Sequence, residues 1–535
     1  MIHIFDNALL FKPSTGEWQS VSFSVENGVV AMVGVRNQLT GDKITDLKGA
    51  RVVPGLIDAH AHIESTLLVP REFGRAVLSH GVTTVIADPH EIANVAGCAG
   101  IDFMIHDAEG APSDIFFMAP SCVPATPADI GGAVITAADL KKYVGSPRIL
   151  GLGEMMNFPG VIHDDPEVLA KLKLFDHVDG HAPGVTGADL CKYVSHGIKT
   201  DHECTAAEEA REKLRHGMYI FLREGDAAKD VAVLSSVVTP LTVSRCCFCT
   251  DDRHVDSLVR EGSIDHCIRV AVASGMPLEL ALRMATLSAA ECFGLTDRGL
   301  IAPGRIADFC VLADSDEFSI AAVYKRGVLS SEILTPQASS AFVSPKFDCR
   351  FPIPADLILP TSGVARVIGL ILGEIVTQNI HAQVGADGVQ KVVCVDRYAS
   401  RGFSVGLVKG FEIQTGAIAA SISHDAHNII AVGATDEEIL AAIHAVADAG
   451  GGMAVVTGDE ATVLPLPIAG LMTAEPVEVL LEKLDALTSH LTHTGTFPRA
   501  FAHLSFLSLT VAPHLKITPR GLFDVDAFRD VSLFL

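Results

Sequence analysis

Two histidines one residue apart, His60 and His62, stand in the string DAHAH at the end of an apolar run. On an extended segment that spacing turns both imidazoles to one side, an arrangement suited to chelating a cation. Taken alone, a His-x-His pair is more often structural or exposed. Further side chains of ligating type recur at the ends of later apolar runs: Glu154, then Asp179 with His181, then Asp201, His202 and Glu203, and finally Asp251, Asp252, Arg253 and His254. A structural surface has no reason to collect so many uncompensated polar groups, so the set reads as a metal site. Imidazole and carboxylate donors accept zinc, iron and manganese alike, and such a site brings the pKa of water down far enough to supply a nucleophile near neutral pH.

Other residues with chemical potential are less telling. Asp88-Pro89-His90-Glu91 ends another apolar run. It reads either as a substrate-facing or supporting group or as a proline-started helix with an acidic first turn. Cys246 and Cys249 form a C-x-x-C, the usual half of a structural zinc site, but they lie within an apolar strand with no second pair nearby and read as buried thiols. The chain has 22 histidines, and His80, His106, His163 and His266 fall at surface or helical positions with no assigned chemistry.

The elements that carry these residues alternate. Short apolar, β-rich runs at residues 52–59, 82–88, 114–120, 149–155, 177–180, 199–201, 218–223 and 245–251 are separated by helical segments such as TAADLKKYV and TAAEEAREKLR. Eight strand-then-helix units predict an α/β fold built on a (β/α)8 barrel, in which the active site forms at the C-terminal ends of the strands. A doubly wound open sheet is the alternative, and the chain has no G-x-G-x-x-G after a first strand to support it. Residues 1–51 and 302–345 read as strands that join into one small β-sandwich domain, the barrel occupies 52–301, and residues 355–535 form a C-terminal α/β domain beyond a proline-containing linker.

Bulk composition bounds the partners. The chain has 535 residues, 49% of them hydrophobic and 19% charged, in the range of a globular enzyme of several domains. Forty Lys and Arg against 64 Asp and Glu give a net charge of −24, a field that repels phosphate backbones, so no nucleic-acid partner is expected. No basic and apolar leader is evident and no run is long enough to span a bilayer, so no membrane partner is expected either. The twelve cysteines lack the spacing of a disulfide framework and read as free thiols in a cytoplasmic protein.

At these residues the chain resembles the bacterial adenine deaminases of the amidohydrolase superfamily. The strings VPGLIDAHAHIEST (53–66), TTVIADPHEIANVAG (83–97), SCVPAT (121–126), GLGEMMNFPGVI (151–162), DGHAPG (179–184), REGDAAK (223–229) and CTDDRH (249–254) carry the resemblance. SHDAHNI (423–429), LPLPIAGLM (464–472) and FLSLTVAPHLKIT (506–518) extend it toward the C-terminus. The family implies hydrolytic deamination of adenine, a purine base, to hypoxanthine and ammonia by a binuclear divalent metal centre, Mn2+ or Fe2+, with Zn2+ the alternative. Carried over, the resemblance makes His60, His62, Glu154, His181, His202 and Asp251 the ligands, with Glu154 standing where many amidohydrolases use a carboxylated lysine. Many family members carry a leading helical segment, whereas here the first strand begins almost at once, which bears on packing or assembly.

The expected chemistry follows from the substrate. Asp251 takes the proton of the attacking water and returns it to the departing amine. Glu203 is the first candidate to protonate ring nitrogen N1, where negative charge develops. Asp252, His90 and Glu91 are candidates for holding the purine. The cluster His424-Asp425-Ala426-His427-Asn428 reads either as a further metal site or, preferably, as a lid over a barrel mouth in its own or a neighbouring subunit. A homodimer is the expected assembly. Another amidohydrolase reaction, on a different aminated heterocycle or a cyclic amide, is the competing activity, and a catalytically dead barrel kept for assembly is the non-enzymatic one.

Overall fold

The computed structural model describes residues 1–315, 317–333 and 339–535. Its central part is a set of parallel strands. Leu56–Ala61, Val82–Ala87, Asp114–Ala119, Ile149–Met155 and Val178–Gly180 form a five-stranded sheet in that spatial order, and Thr200–Asp201, Tyr219–Arg223 and Cys246–Cys249 form a three-stranded one. Backbone hydrogen bonds cross both gaps between the two sheets. Lys199 N–H donates to the Val178 carbonyl at 3.0 Å. On the other side a parallel bridge pairs Ala61 with Asp251, where Asp251 N–H reaches the His60 carbonyl at 3.0 Å.

The strands read as they do because helices cover them. All six residues of Val82–Ala87 are buried, as expected of a β-branched parallel strand with no face left to solvent. The intervening helices are started by local chemistry. Pro166 occupies the first turn of Pro166–Leu172, and the Asp165 carboxylate accepts the Glu167 and Val168 N–H groups at 2.9 and 3.0 Å. Side chains such as Phe117, Leu152, Ile220 and Phe248 are fully buried between these layers, each contributing roughly 1.5–3 kcal/mol of transfer free energy.

The single apolar run expected at 52–59 is two strands. Arg51–Pro54 pairs with Ile2–Lys12 and Phe309–Leu312 in an outer sheet, while Leu56–Ala61 enters the parallel set. Gly55 marks the break, and a Cβ there would lie 2.2 Å from Thr83 Oγ1, so only glycine lets the chain change sheets beside that strand. The outer eight-stranded sheet mixes strands from both flanks of the central segment, Ile2–Lys12 through Arg51–Pro54 with Phe309–Leu312, Ile320–Lys325 and Val328–Leu329. The expected helix at 136–144 is shorter, Ala137–Leu140 followed by one 3-10 turn, Lys141–Tyr143.

Beyond the irregular stretch around Pro354–Leu357, a second eight-stranded sheet runs from Val364–Leu370 to Glu460–Pro465, flanked by Asp436–Asp448 and Val477–Thr492, with a three-stranded sheet, Leu515–Thr518 to Arg529–Val531, after it. This C-terminal part packs onto the parallel strands rather than hanging from a linker. Thr473 exchanges backbone hydrogen bonds with Leu67 and Val69 at 2.8 and 3.2 Å, and Asn428 Nδ2–H donates to the Ile130 carbonyl at 2.8 Å. Among the described residues no helix is long and apolar enough to cross a membrane. All twelve cysteines are free, and Cys246 and Cys249 are buried.

Candidate active site

The C-terminal ends of the first, fourth, fifth, sixth and eighth parallel strands deliver His60 and His62, Glu154, His181, His202 with Glu203, and Asp251 to one place. His62 Nε2 lies 3.1 Å from His60 Nε2, 3.1 Å from Asp251 Oδ1 and 3.2 Å from Glu154 Oε1. Glu154 Oε2 faces the other side, 2.6 Å from His181 Nδ1 and 3.2 Å from His202 Nε2. One carboxylate therefore stands between two pairs of imidazoles. Asp251 holds its position in the left-handed region at φ 53°, which places its carboxylate beside both histidines of the first strand.

The supporting contacts aim these donors. His62 Nδ1–H donates to the Asp88 carbonyl at 3.1 Å, which directs Nε2 inward. The Asp88 carboxylate accepts the Glu154 N–H at 3.0 Å. Asp58 accepts the Thr250 N–H and hydroxyl at 3.1 and 2.5 Å, tying the first strand to the eighth one residue before Asp251.

Electrostatics are unusual for so buried a place. Burial would raise the Glu154 carboxyl, but the surrounding imidazoles, His181 foremost, outweigh it and hold it well below the usual carboxylate range. Asp251 behaves likewise: burial raises it, while His60, His62 and the Arg223 guanidinium hold it well below. Four inward-facing imidazole nitrogens, His60 Nε2, His62 Nε2, His181 Nδ1 and His202 Nε2, face these carboxylates, and overlapping triads such as His60/His62/Asp251 and His60/Glu154/His202 each gather their donors within 4.8 Å. Mixed nitrogen and oxygen donors around a shared carboxylate fit divalent first-row cations.

The expected substrate-side residues are also here, with differences. Glu203 pairs with Arg223, whose charge offsets the effect of burial and keeps the carboxyl below its ordinary range, so its resting form is the anion. His90 Nδ1 is 3.3 Å from Glu154 Oε1 and its Nε2 3.5 Å from Glu91 Oε1. Glu91 does not turn a free carboxylate to the cavity: His424 Nδ1–H donates to one oxygen at 2.5 Å and His427 Nε2–H to the other. Asp252 accepts the Ser65 hydroxyl.

Arg223 carries a guanidinium, so the pattern of metal-capable side chains at the strand ends does not include it. It ends the seventh strand, at the same rim as the candidate ligands. Its Nη1–H also donates to Asp251 Oδ2 at 3.0 Å, and its Nη2 lies 3.3 Å from Asp230 Oδ2. Above these groups lies a cavity of about 550 Å³, walled by Glu203, Asp251 and Asp252 on one side and by Ile375, His424, Phe506 and Leu509 of the C-terminal part on the other. Its size suits a small organic ligand, and its floor offers acid, base and cation-binding groups together.

Comparison with known proteins identifies relatives of both parts of the chain. Residues 51–329 match the amidohydrolase family and residues 373–529 the adenine deaminase C-terminal domain. The chain is 52% identical over 99% of its length to an adenine deaminase of Methanoregula boonei, covering 96% of that protein. It is 51% identical over 96% of its length to one from Methanoculleus marisnigri, covering 100% of it, and 44% identical over 99% to one from Desulfatibacillum aliphaticivorans, covering 97%. The chain belongs to the adenine deaminase family.

Proposed function

We propose that this protein catalyses the hydrolytic deamination of adenine to hypoxanthine and ammonia. The observation that carries the reading is the convergence of His60, His62, Glu154, His181, His202 and Asp251 beneath one cavity, in a chain 52% identical to an adenine deaminase over 99% of its length. In this reading the eight parallel strands close as a (β/α)8 barrel over residues 52–301, with a small β-domain from 1–51 and 302–345, of which 316 and 334–338 lie outside the described residues, and a C-terminal α/β domain over 355–535. The bridge between Ala61 and Asp251 and the bond between Lys199 and Val178 support closure.

His60, His62 and Asp251 would hold one divalent ion and His181 and His202 a second, with Glu154 between them. Mn2+ or Fe2+ is the expected metal. When bound, such ions supply Lewis acidity, bringing the pKa of water near neutrality.

The chain's own groups then manage two protons. Asp251, an anion at rest, accepts the first as water adds to C6, and returns it to the exocyclic nitrogen, which leaves as ammonia. The second proton of the water must end on N1 of hypoxanthine. Glu203, also an anion at rest, takes it from the oxygen at C6 and delivers it to N1. Positioned proton transfers of this kind are each worth roughly 10²–10⁴-fold in rate. Arg223, touching both carboxylates, keeps each available as a base until it is needed. Asp252 and His90 bound the purine, and Glu91 acts through the histidines it binds.

A homodimeric, cytoplasmic enzyme of purine salvage or catabolism, with no nucleic-acid or membrane partner, completes the proposal. The test is ammonia release and the ultraviolet change on adding adenine to manganese-reconstituted protein, beside a His60→Ala control. Turnover to hypoxanthine that disappears in the control is expected. A metal-replete protein that leaves adenine untouched would redirect the assignment to another aminated heterocycle or a cyclic amide.

A further inference from the structure

The histidine pair of the C-terminal part, His424 and His427, meets Glu91 in a triad whose donor atoms lie within 4.8 Å of one another, as a metal site would require. The hydrogen bonding argues otherwise. Ser423 N–H donates into His427 Nδ1 at 3.3 Å, which leaves the ring proton on Nε2, the atom that faces Glu91. A protonated Nε2 is a donor to the carboxylate and offers no lone pair to a cation. Burial pushes His427 down to about 4, consistent with a neutral ring in that tautomer.

His424 is placed differently. Its Nδ1–H is taken by Glu91, and its ring stacks on Phe506 with centroids 4.8 Å apart and planes 14° from parallel. Among the described residues its Nε2 has no protein partner, and the side chain lines the active-site cavity. The Glu91 carboxylate outweighs burial and holds the imidazole at about 9, so at neutral pH Nε2 carries a proton. The ring is thus fixed by a carboxylate on one edge and an aromatic face below, with one unused donor left at the cavity wall.

We propose that His424 is a substrate-binding residue supplied by the C-terminal domain, donating Nε2–H to a ring-nitrogen acceptor of the bound purine, with His427 and Glu91 acting as positioning residues that hold it there. This rests on the adenine reading above. It assigns the C-terminal domain a direct part in recognising the base, and it makes the His-Asp-Ala-His segment part of the recognition wall rather than a third metal centre.

The experiment is calorimetric titration of the metal-loaded protein with the product hypoxanthine, which is not consumed, and with two analogues in which carbon replaces ring N3 or N7. In the wild type one analogue is expected to bind about tenfold more weakly than hypoxanthine, the loss of one hydrogen bond. In His424→Ala that gap should close to within about twofold, with metal content unchanged and KM for adenine raised more than kcat is lowered. His424→Phe keeps the stack on Phe506 without the polar atoms, and gives the same measurement if the alanine variant folds poorly. A gap that persists in both variants, or the absence of any gap in the wild type, overturns the proposal. Failure of the wild type to release ammonia from adenine would instead overturn the functional reading on which it rests, before any variant is compared.

Discussion

Arg223 and Asp251 are bound to each other where the seventh and eighth strands end: Nη1–H donates to Oδ2 at 3.0 Å, while Oδ1 of the same carboxylate lies 3.1 Å from His62 Nε2. The aspartate therefore has one oxygen committed to a permanent cation and the other to the imidazole cluster. Burial favours its protonation, and His60, His62 and the guanidinium oppose it. Replacing Arg223 with Met removes part of that opposition. In the proposed mechanism the reactive form is the anion, so activity is expected to fall as pH drops through the pKa of this carboxyl, and the acid limb of the rate profile should move to higher pH in Arg223→Met. A pH–rate series on metal-loaded protein reads this directly. An unmoved limb would mean that Asp251 is not the titrating base.

Glu203→Gln separates proton delivery from metal binding. The amide is nearly isosteric and retains a hydrogen-bond acceptor for Arg223, but it cannot carry the second proton to N1. We expect kcat to fall about 10²–10³-fold with full metal content by elemental analysis and little change in KM. Turnover near the wild-type level in metal-replete protein would exclude Glu203 from the N1 step.

Glu154 touches both halves of the cluster, His62 through Oε1 and His181 with His202 through Oε2. Its loss should therefore affect two metals at once. In Glu154→Ala we expect elemental analysis to find metal content well below that of wild type after identical manganese loading, and deamination to be undetectable. Two full equivalents retained in that variant would remove Glu154 from the ligand set.

The rim was legible in the sequence because strand-end positions obey a geometric rule, and His60, Glu154, His202 and Asp251 each follow an apolar run that the rule converts into an address. Where one element ends and another begins was less visible. The run from Val52 through Ile57 has no polar interruption to betray that the chain passes from one sheet to another at Gly55, where the approach of Thr83 leaves room only for glycine. Long-range pairing was out of reach for a different reason. Glu91 and His424 are 333 residues apart, and nothing in the local pattern of DPHE or SHDAH encodes that their side chains meet. Arg223 lay between these cases: its strand was recognised, but its role depends on two carboxylates brought to it by neighbouring strands.

Lys516 offers a measurement on stability rather than turnover. Its amino group sits in the strand Leu515–Thr518, fully buried, donating to the carbonyls of Ile375 and Phe506 at 2.9 and 3.2 Å. Both acceptor residues line the active-site cavity, so the lysine braces that wall from behind. Burial pushes its pKa down to about 7, from 10.5 for an ordinary lysine. Between those values the unfolded chain binds the proton and the folded chain does not, so the stability this group contributes rises with pH across the window from 7 to 10.5 and its full penalty stands below pH 7. The swing is on the order of 5 kcal/mol. Lys516→Met strands two carbonyls and should be less stable than wild type at pH 10, with the difference shrinking or reversing as the pH is lowered to 6. Paired denaturant titrations at several pH values give the difference curve; one that is flat over this range would show that the buried amine keeps its charge in both states.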